Sequence, residues 1–417
     1  MRLRKKRQNA EGTRSAVFFI FFVALLCPNL YAGQAAEGNS CIACHQDTWK
    51  DLKNSIHGQQ GILCNSCHGG DPTKADKESA KAPGTGYIGV PDKKQIVEKC
   101  GQCHADVETM NFYGIRTDQL ARYKTSKHGK KLLLEGDEKV AACTDCHGYH
   151  DVLSVSDPNS PVYPANIPNT CNQCHGKKKL MASHGLPSDI FETYKTSVHG
   201  KALLEKKDIS VAQCASCHGG HGAMPPGVKE IGDTCGKCHV NEKKYFLESV
   251  HATLGQGKFS ECVSCHGNHG VQHPDPALYE EACVKCHEPQ STAMKTGRSL
   301  EKMFREVQEA RTLSENQVKQ ASIDGLFVED EMAMLEEIKT NSIAMTPLQH
   351  TLSVPKVSEL HKKVIAASKN IQTQIDNKRK SLKRRKFALI PIWIFIVVMV
   401  SALWAKYNEI KRSKEKK

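Results

Sequence analysis

Nine copies of the pattern Cys-x-x-Cys-His lie between residues 41 and 287, and they constrain this chain of 417 residues more than any other feature. They use eighteen of its nineteen cysteines. The cysteine pairs are Cys41 and Cys44, Cys64 and Cys67, Cys100 and Cys103, Cys143 and Cys146, Cys171 and Cys174, Cys214 and Cys217, Cys235 and Cys238, Cys262 and Cys265, and Cys283 and Cys286. The histidines that complete the motifs are His45, His68, His104, His147, His175, His218, His239, His266 and His287.

The spacing within the motif indicates covalent attachment of haem. Two thiols at this spacing can each form a thioether with one vinyl group of a haem, and the histidine that follows becomes the proximal ligand of the iron. Zinc knuckles, a disulfide framework and thioredoxin-like redox pairs fit less well. Zinc would not require a histidine after every second cysteine, and disulfides would not hold every spacing at two. The sequence therefore predicts nine covalently attached haem c groups.

The region that carries the motifs is rich in Gly, Lys, Asn and Ser and poor in long apolar runs. Such a chain buries too little apolar surface to offset the conformational entropy lost on folding. We therefore expect the haems to form its core and the region to stay unfolded without them. The expected fold class is mainly α with extensive irregular loops, since short helical segments alternate with stretches rich in Pro, Gly, Ser and Asp.

An internal repeat organises the motifs in pairs. Each repeat opens with one haem motif, continues through a Ser-x-His-Gly or Ser-x-His-Ala element, and closes with a second haem motif. Repeats one to four begin at Cys41, Cys100, Cys171 and Cys235, and the ninth motif stands alone. The element contributes His57, His128, His199 and His251, and a trailing histidine follows in repeats two to four as His150, His221 and His269. Repeat one has Asp71 in the trailing position.

These recurring histidines are predicted to be distal haem ligands, because neutral imidazole is a common ligand of haems that only carry electrons. His184 and His273 complete a set of nine that would cap every iron. The alternative, a surface histidine bonded to a propionate or to water, applies most to His273, His350 and His361. His350 could also reach back to a haem from a Pro-marked bend. Met110, Met181, Met224 and Met294 are interpreted as packing residues, because no repetition with the motifs is evident for them.

The pairing of motifs with the segments SKHGK-KLLLEG…CTDCHGYH and SVHGK-ALLEKK…CASCHGGHG resembles the cytochrome c3-type, doubled-CxxCH multihaem cytochromes of metal- and sulfate-respiring bacteria. The resemblance covers roughly residues 38–290. It implies stacked haems with two histidine ligands each, in a periplasmic electron-transfer protein. The departure at Asp71 puts the capping of one haem in repeat one in doubt.

The ends of the chain suggest export and membrane attachment. Residues 1–36, which include Cys27, combine basic residues, a short apolar run and small residues, as in a signal peptide; an uncleaved anchor is the alternative. Residues 37–296 are the predicted haem domain, and residues 297–386 a helical hairpin built from helices over 299–321, 329–345 and 355–386. Residues 387–407 form a predicted transmembrane helix, followed by a basic cytoplasmic tail over 408–417.

The net charge of +13 does not indicate a nucleic-acid-binding protein, because the excess of Lys and Arg lies at the two ends that flank apolar segments. The sequence favours an electron carrier over a catalyst. We expect a periplasmic nine-haem cytochrome, anchored in the bacterial cytoplasmic membrane, that relays electrons between a polytopic quinol-oxidising membrane subunit and periplasmic redox proteins. The alternative is a multihaem reductase of the nitrite, hydroxylamine or tetrathionate type with one open iron.

Overall fold

The computed structural model describes residues 38–225, 231–253 and 261–415. The predicted signal peptide over residues 1–36 lies outside these ranges. Within them the chain is helical, with irregular connections and no β-strand. The expectation of a mainly α protein with extensive loops is therefore confirmed.

Most helices before residue 290 are short. They are α1 Ser40–Cys44, α2 Gln46–Asn54, α3 Ile56–Gln59, α4 Cys64–His68, α5 Lys77–Ala80, α6 Lys93–His104, α7 Val107–Phe112, α8 Gln119–Thr125, α9 Lys127–Leu133, α10 Cys143–His147, α11 Ile167–His175, α12 Lys178–Ser183, α13 Ile190–Thr196, α14 Val198–Leu204, α15 Cys214–His218, α16 Ile231–Cys235, α17 Val240–Phe246, α18 Glu261–His266 and α19 Leu278–Cys283. Four longer helices follow, α20 Thr292–Ile323, α21 Glu329–Leu348, α22 Val354–Ala388 and α23 Ile390–Glu415. Two 3₁₀ turns span Val250–Thr253 and Gln349–Thr351.

The chain divides into two compact units. Among the described residues, the first comprises residues 38–225 together with His269–Gln272, and the second comprises residues 231–253, 261–268 and 273–415. The division falls inside the predicted haem domain of residues 37–296. In the second unit, motifs seven to nine share one compact body with the long C-terminal helices.

Helices α20, α21 and α22 form a three-helix bundle rather than the predicted hairpin. Helix α22 packs against both of the others, and its apolar stripe fills their common core. Val357, Val364 and Ile371 of this stripe are fully buried. They recur at intervals of seven residues, so they lie on one face of the helix. The stripe therefore contacts two partner helices, where the sequence pattern suggested one.

Buried apolar side chains are scarce around the haem motifs. Among the described residues, ten lie before residue 290 and thirteen lie after it, although the earlier part is about twice as long. The largest apolar cluster in the earlier part is small, with Val97, Leu132, Val140 and Ala142 at its centre. So few buried apolar groups offset little of the entropy lost on folding, which agrees with the expectation that the haems supply the missing core.

Helix α23 is exposed along its length and contains the apolar run predicted to span a membrane. It starts at Ile390 and continues to Glu415, past the predicted end at residue 407. A single continuous span of this length and hydropathy is enough to cross a bilayer.

Candidate haem-binding site

The Ser-x-His-Gly element is a helix start that fixes the position of its histidine. In repeat two the Ser126 hydroxyl donates to the Tyr123 carbonyl at 2.7 Å and accepts from the Gly129 amide at 2.9 Å. A Cβ on Gly129 would lie 1.9 Å from the same carbonyl oxygen, so only glycine fits this turn. The serine is the N-cap of α9 and is almost fully buried.

The same turn recurs in repeats one and three. Ser55 and Ser197 are the N-caps, and each bonds the amide of the glycine three residues later at 3.0 and 2.9 Å. An added Cβ at Gly58 or Gly200 would lie 2.0 Å from a backbone oxygen. The element is therefore one structural device used three times to hold His57, His128 and His199 at the first turn of a helix.

Repeat four departs from this geometry because alanine replaces the glycine. Ala252 carries the Cβ that the other turns have no room for, and Val250–Thr253 forms a 3₁₀ turn instead of an α-helix. The buried Ser249 hydroxyl has no hydrogen-bond partner among the residues that the structure describes. His251 nevertheless keeps its place in the element, one residue before the alanine, and its ring faces that of His287.

A backbone hydrogen bond links each element to the following repeat. In repeats one to three, the amide of the residue after the serine donates to a backbone carbonyl of the next repeat. That carbonyl lies two residues after the trailing histidine of the next repeat. The bonds are Ile56 to Val152 at 2.8 Å, Lys127 to Ala223 at 3.1 Å and Val198 to Val271 at 2.8 Å. Each bond holds the distal histidine of one repeat beside the trailing histidine of the next.

Seven proximal histidines lie opposite a second histidine, with ring centres 5.8 to 6.1 Å apart. The pairs are His104 with His57, His68 with His150, His175 with His128, His147 with His221, His218 with His269, His287 with His251, and His266 with His350. The separation fits a metal held between the rings. A bond of about 2 Å from each ring nitrogen, plus about 1 Å from nitrogen to ring centre on each side, gives about 6 Å.

The electrostatics of these pairs also suit metal ligation, which requires neutral imidazole. Burial lowers the pKa of His57, His128 and His350, and the paired histidine lowers it further for the first two. Burial is also the main cause that lowers the pKa of His147 to about 4. Such rings are neutral at physiological pH and offer a lone pair.

Hydrogen bonds at Nδ1 orient several of the rings. The Nδ1 atom of His68 lies 2.8 Å from the Gly89 carbonyl, and that of His218 lies 3.2 Å from the Met224 carbonyl. His350 has the same arrangement with the Pro347 carbonyl, at 3.0 Å. A proton on Nδ1 leaves Nε2 as the lone-pair atom that can bind a metal.

The pairs follow one rule, in which histidines of consecutive repeats face one another; we call it the rule of exchanged ligands. The Ser-x-His histidine of one repeat faces the first proximal histidine of the next, as His57 faces His104. The trailing histidine of a repeat faces the second proximal histidine of the repeat before it, as His150 faces His68. The rule therefore assigns the trailing position at Asp71 to no haem of repeat one, because a trailing histidine faces the repeat before its own.

His350 was not among the predicted ligands, although its ring lies 6.1 Å from that of His266. It takes the place of a trailing histidine for the last repeat. The only feature of the sequence that pointed to His350 was its position near Pro347, because the residue lies far from the motifs and outside the repeat. The rule of exchanged ligands could have identified it, because the second haem of repeat four needs a histidine from downstream.

Two predicted distal ligands lie elsewhere. Both ring nitrogens of His184 are engaged, Nε2 with Asp137 Oδ2 at 2.7 Å and Nδ1 with the Leu180 carbonyl at 2.9 Å. His273 is exposed, with its Nδ1 3.0 Å from the Pro274 carbonyl. His361 bonds Glu306 in the bundle. His199 shares the turn geometry of His57 and His128, and the register of the repeat predicts a ligand role for it.

Two of the methionines do repeat with the motifs. Met110 and Met181 each lie six residues after a proximal histidine, and both side chains are buried, with at most 5% of their surface exposed. Repeats one and four have no methionine at the corresponding position. Their burial agrees with a packing role.

Contacts between cysteines show which motifs are neighbours. Within repeats two, three and four, the first cysteines of the two motifs are hydrogen-bonded, as Cys100 is to Cys143. In the first compact unit, burial raises the pKa of Cys67, and nearby Cys100 raises it further. Burial and nearby Cys41 likewise raise the pKa of Cys64. Burial also raises the pKa of Cys146, and nearby Cys174 contributes to the rise. Motifs one to six are thus neighbours in sequence order.

The second compact unit shows the same order for motifs seven to nine. Cys262 bonds Cys235, and the pKa of Cys265 is raised by burial and then by Cys283. All eighteen motif cysteines are free thiols, so the chain has no disulfide framework in the described residues. No group of three or more His, Cys, Asp and Glu side chains forms a metal site there either. Paired imidazoles beside paired thiols fit haem c and do not fit structural zinc.

Comparison with known proteins supports this assignment. The family model for cytochrome c3 matches residues 56–176. The chain is 26% identical over 231 residues to the multiheme cytochrome MtrA of Shewanella baltica, a match that covers 50% of this chain and 56% of that protein. It is 23% identical over 217 residues to the C-type polyheme cytochrome OmcB of Geobacter sulfurreducens, covering 45% of this chain and 26% of OmcB.

The chain thus spans about half the length of the first relative and a quarter of the second. No solved structure matches it significantly. The family match, the relatives and the paired histidines agree on one conclusion: the chain is similar to the multihaem c-type cytochromes.

Proposed function

We propose that this protein is a nine-haem cytochrome that relays electrons between a quinol-oxidising membrane partner and periplasmic acceptors. The observation that carries the proposal is the set of facing histidines, because an iron with two histidine ligands exchanges electrons without binding a substrate. Nine motifs provide nine attachment sites. Haem supplies the redox chemistry, and the chain supplies the ligands, the order of the haems and their surroundings.

The order of the motifs supports a relay. Within each compact unit the motifs that are adjacent in sequence are also adjacent in space, through cysteine contacts such as Cys171 with Cys214 and Cys262 with Cys235. An electron could therefore pass along the chain from motif to neighbouring motif. Exchange of ligands between repeats adds rigidity, because each iron would crosslink two repeats.

The C-terminal helices suggest where the relay meets the membrane. His350 faces His266 from the end of α21, so the bundle contributes directly to a haem site. The bundle continues through α22 into the apolar helix α23. A single helix offers little room for a quinone pocket, and a polytopic subunit is therefore the proposed electron donor. Basic residues at the end of α22 suit contact with anionic lipid or an acidic partner.

The test uses full-length protein in its native membrane. Pyridine haemochrome should count nine haems per chain, and a coulometric titration should take up nine electrons. In right-side-out vesicles, an added protease should remove the haem stain if the haem region faces the periplasm. Quinol should reduce the haems in membranes that contain the partner. Haem reduction by quinol in detergent-purified protein, free of other subunits, would contradict the need for a partner.

The reductase alternative keeps one observation in its favour, namely that no histidine faces His45 among the described residues. Steady-state assays with nitrite, hydroxylamine and tetrathionate, using reduced viologen as electron donor, separate the two functions. Turnover of any of these compounds would favour a reductase, and a relay predicts none above the rate of free haem peptide.

A further inference from the structure

The haem motif at Cys41–His45 differs from the other motifs in what faces it. Helix α1 carries both cysteines, and Asn39 caps it by accepting from the Cys41 amide at 3.1 Å. The motif is folded like the others and lies against the second motif, since Asn39 also bonds Asn65 at 3.3 Å. His45 is exposed, and within the described residues no second imidazole faces its ring.

The rule of exchanged ligands explains this difference. The first haem of a repeat takes its distal histidine from the Ser-x-His element of the repeat before it. His57, the element of repeat one, already faces His104 of repeat two. Residues 1–37 contain no histidine, and all twenty histidines of the sequence lie in the described ranges.

Three further histidines are held in other places. His184 is bonded through both ring nitrogens, and His361 bonds Glu306 at 2.7 Å. His273 is exposed and bonds the backbone beside it. None of these side chains can approach His45 unless those hydrogen bonds break.

We propose that the iron bound by His45 has an exchangeable sixth position, open to small molecules that offer a donor lone pair. Carbon monoxide on ferrous iron and cyanide on ferric iron are the chemical types. This rests on the proposed haem function and adds a ligand site at the first haem. Because His45 is exposed, such a ligand reaches the site from solvent without opening the protein.

The experiment is a carbon monoxide titration of the dithionite-reduced, full-length protein in detergent, read by optical difference spectra. The expected result is one carbon monoxide per nine haems. The variant His57→Ala should raise this to two, because it uncovers the iron bound by His104, and so calibrates the count. Loss of binding sites by folding defects is excluded by the haem content of each preparation.

A second variant assigns the site. The change His45→Met keeps the cysteines for attachment and should shift the absorption band of the carbon monoxide complex, whereas His184→Gln should leave the band unchanged. Nine haems with no carbon monoxide bound would overturn the inference while leaving the relay intact. One carbon monoxide with a band that His45→Met does not move would place the open iron elsewhere and would also overturn it. Fewer than nine haems would count against the relay itself.

Discussion

The imidazole of His350 lies opposite that of His266, with the ring centres 6.1 Å apart and tilted by 35°. One residue belongs to a haem motif, and the other lies 84 positions further along the chain, at the end of a long helix of the bundle. The Nδ1 atom of His350 is held by the Pro347 carbonyl at 3.0 Å, which leaves its Nε2 free to act as a lone-pair atom. The bundle therefore places a histidine opposite a proximal histidine of a haem motif.

The variant His350→Ala should convert one low-spin haem to high-spin without changing the number of haems, because attachment depends on the cysteines. EPR of the oxidised protein measures this change. His361→Ala is the matched control, since His361 lies in the same bundle but bonds Glu306. An unchanged spectrum for His350→Ala would show that the eighth haem takes its sixth ligand from another residue.

The tight turn of the Ser-x-His-Gly element makes Gly129→Ala a severe substitution. The added Cβ would lie 1.9 Å from the Tyr123 carbonyl oxygen, so the turn must open and His128 must move. We expect one additional high-spin haem and a lower midpoint of thermal unfolding. Gly220→Ala is the control, because a Cβ there meets nothing within 4 Å.

The serine that caps the same turn should matter less. Replacing an N-cap serine by alanine costs about 1 kcal/mol, and Ser126→Ala leaves the glycine turn in place. We expect a lower thermal midpoint with all haems still low-spin. A high-spin signal as strong as that of Gly129→Ala would show that the cap, and not the glycine, positions the histidine.

Exchange of ligands between repeats can be tested by attempted rescue. His150→Ala should leave the haem bound by His68 with an open sixth position, detectable by carbon monoxide binding. Adding Asp71→His restores a trailing histidine to repeat one, which the exchange rule assigns to no haem of this chain. The double variant should therefore bind as much carbon monoxide as the single variant, and rescue by Asp71→His would contradict the rule.

The ion pair between His184 and Asp137 should contribute stability only within a window of pH. The pKa of His184 is raised by its bonds to the Leu180 carbonyl and to Asp137, so its contribution is present below the ordinary value of 6.5 and is lost as pH rises through the raised value. The pKa of Asp137 is lowered, mainly by His184, so its contribution is lost below the ordinary 3.8. The midpoint difference between wild type and His184→Gln should peak near pH 5 and shrink at pH 9. A difference that does not vary with pH would argue against the pair.

Sequence reasoning found the chemistry of this protein more readily than its connectivity. The five-residue motif is local, so the attachment sites and His45 or His287 as proximal ligands could be read directly. The recurrence of His57 and its counterparts also marked them as ligands. The partner of each histidine could not be predicted from the sequence, because the facing histidines belong to different repeats. His184 occurs in a Ser-His-Gly context, but only the folded chain places Asp137 against it.

The bundle shows the same limit. Periodicity predicted three helices, and the structure has them, but the number of partners of α22 depends on tertiary packing. In the structure the predicted hairpin is part of a three-helix bundle, because α22 packs against both α20 and α21. His350 was named only as an alternative, because a single histidine in a helical segment resembles many surface histidines.

The most direct test of the whole account is quantitative EPR of the air-oxidised, detergent-purified protein, with haem counted by pyridine haemochrome. The account predicts nine haems per chain, eight of them low-spin and one high-spin, and the high-spin signal should shift on addition of cyanide. Fewer than nine haems, or several high-spin haems, would contradict the interlocked histidine pairs.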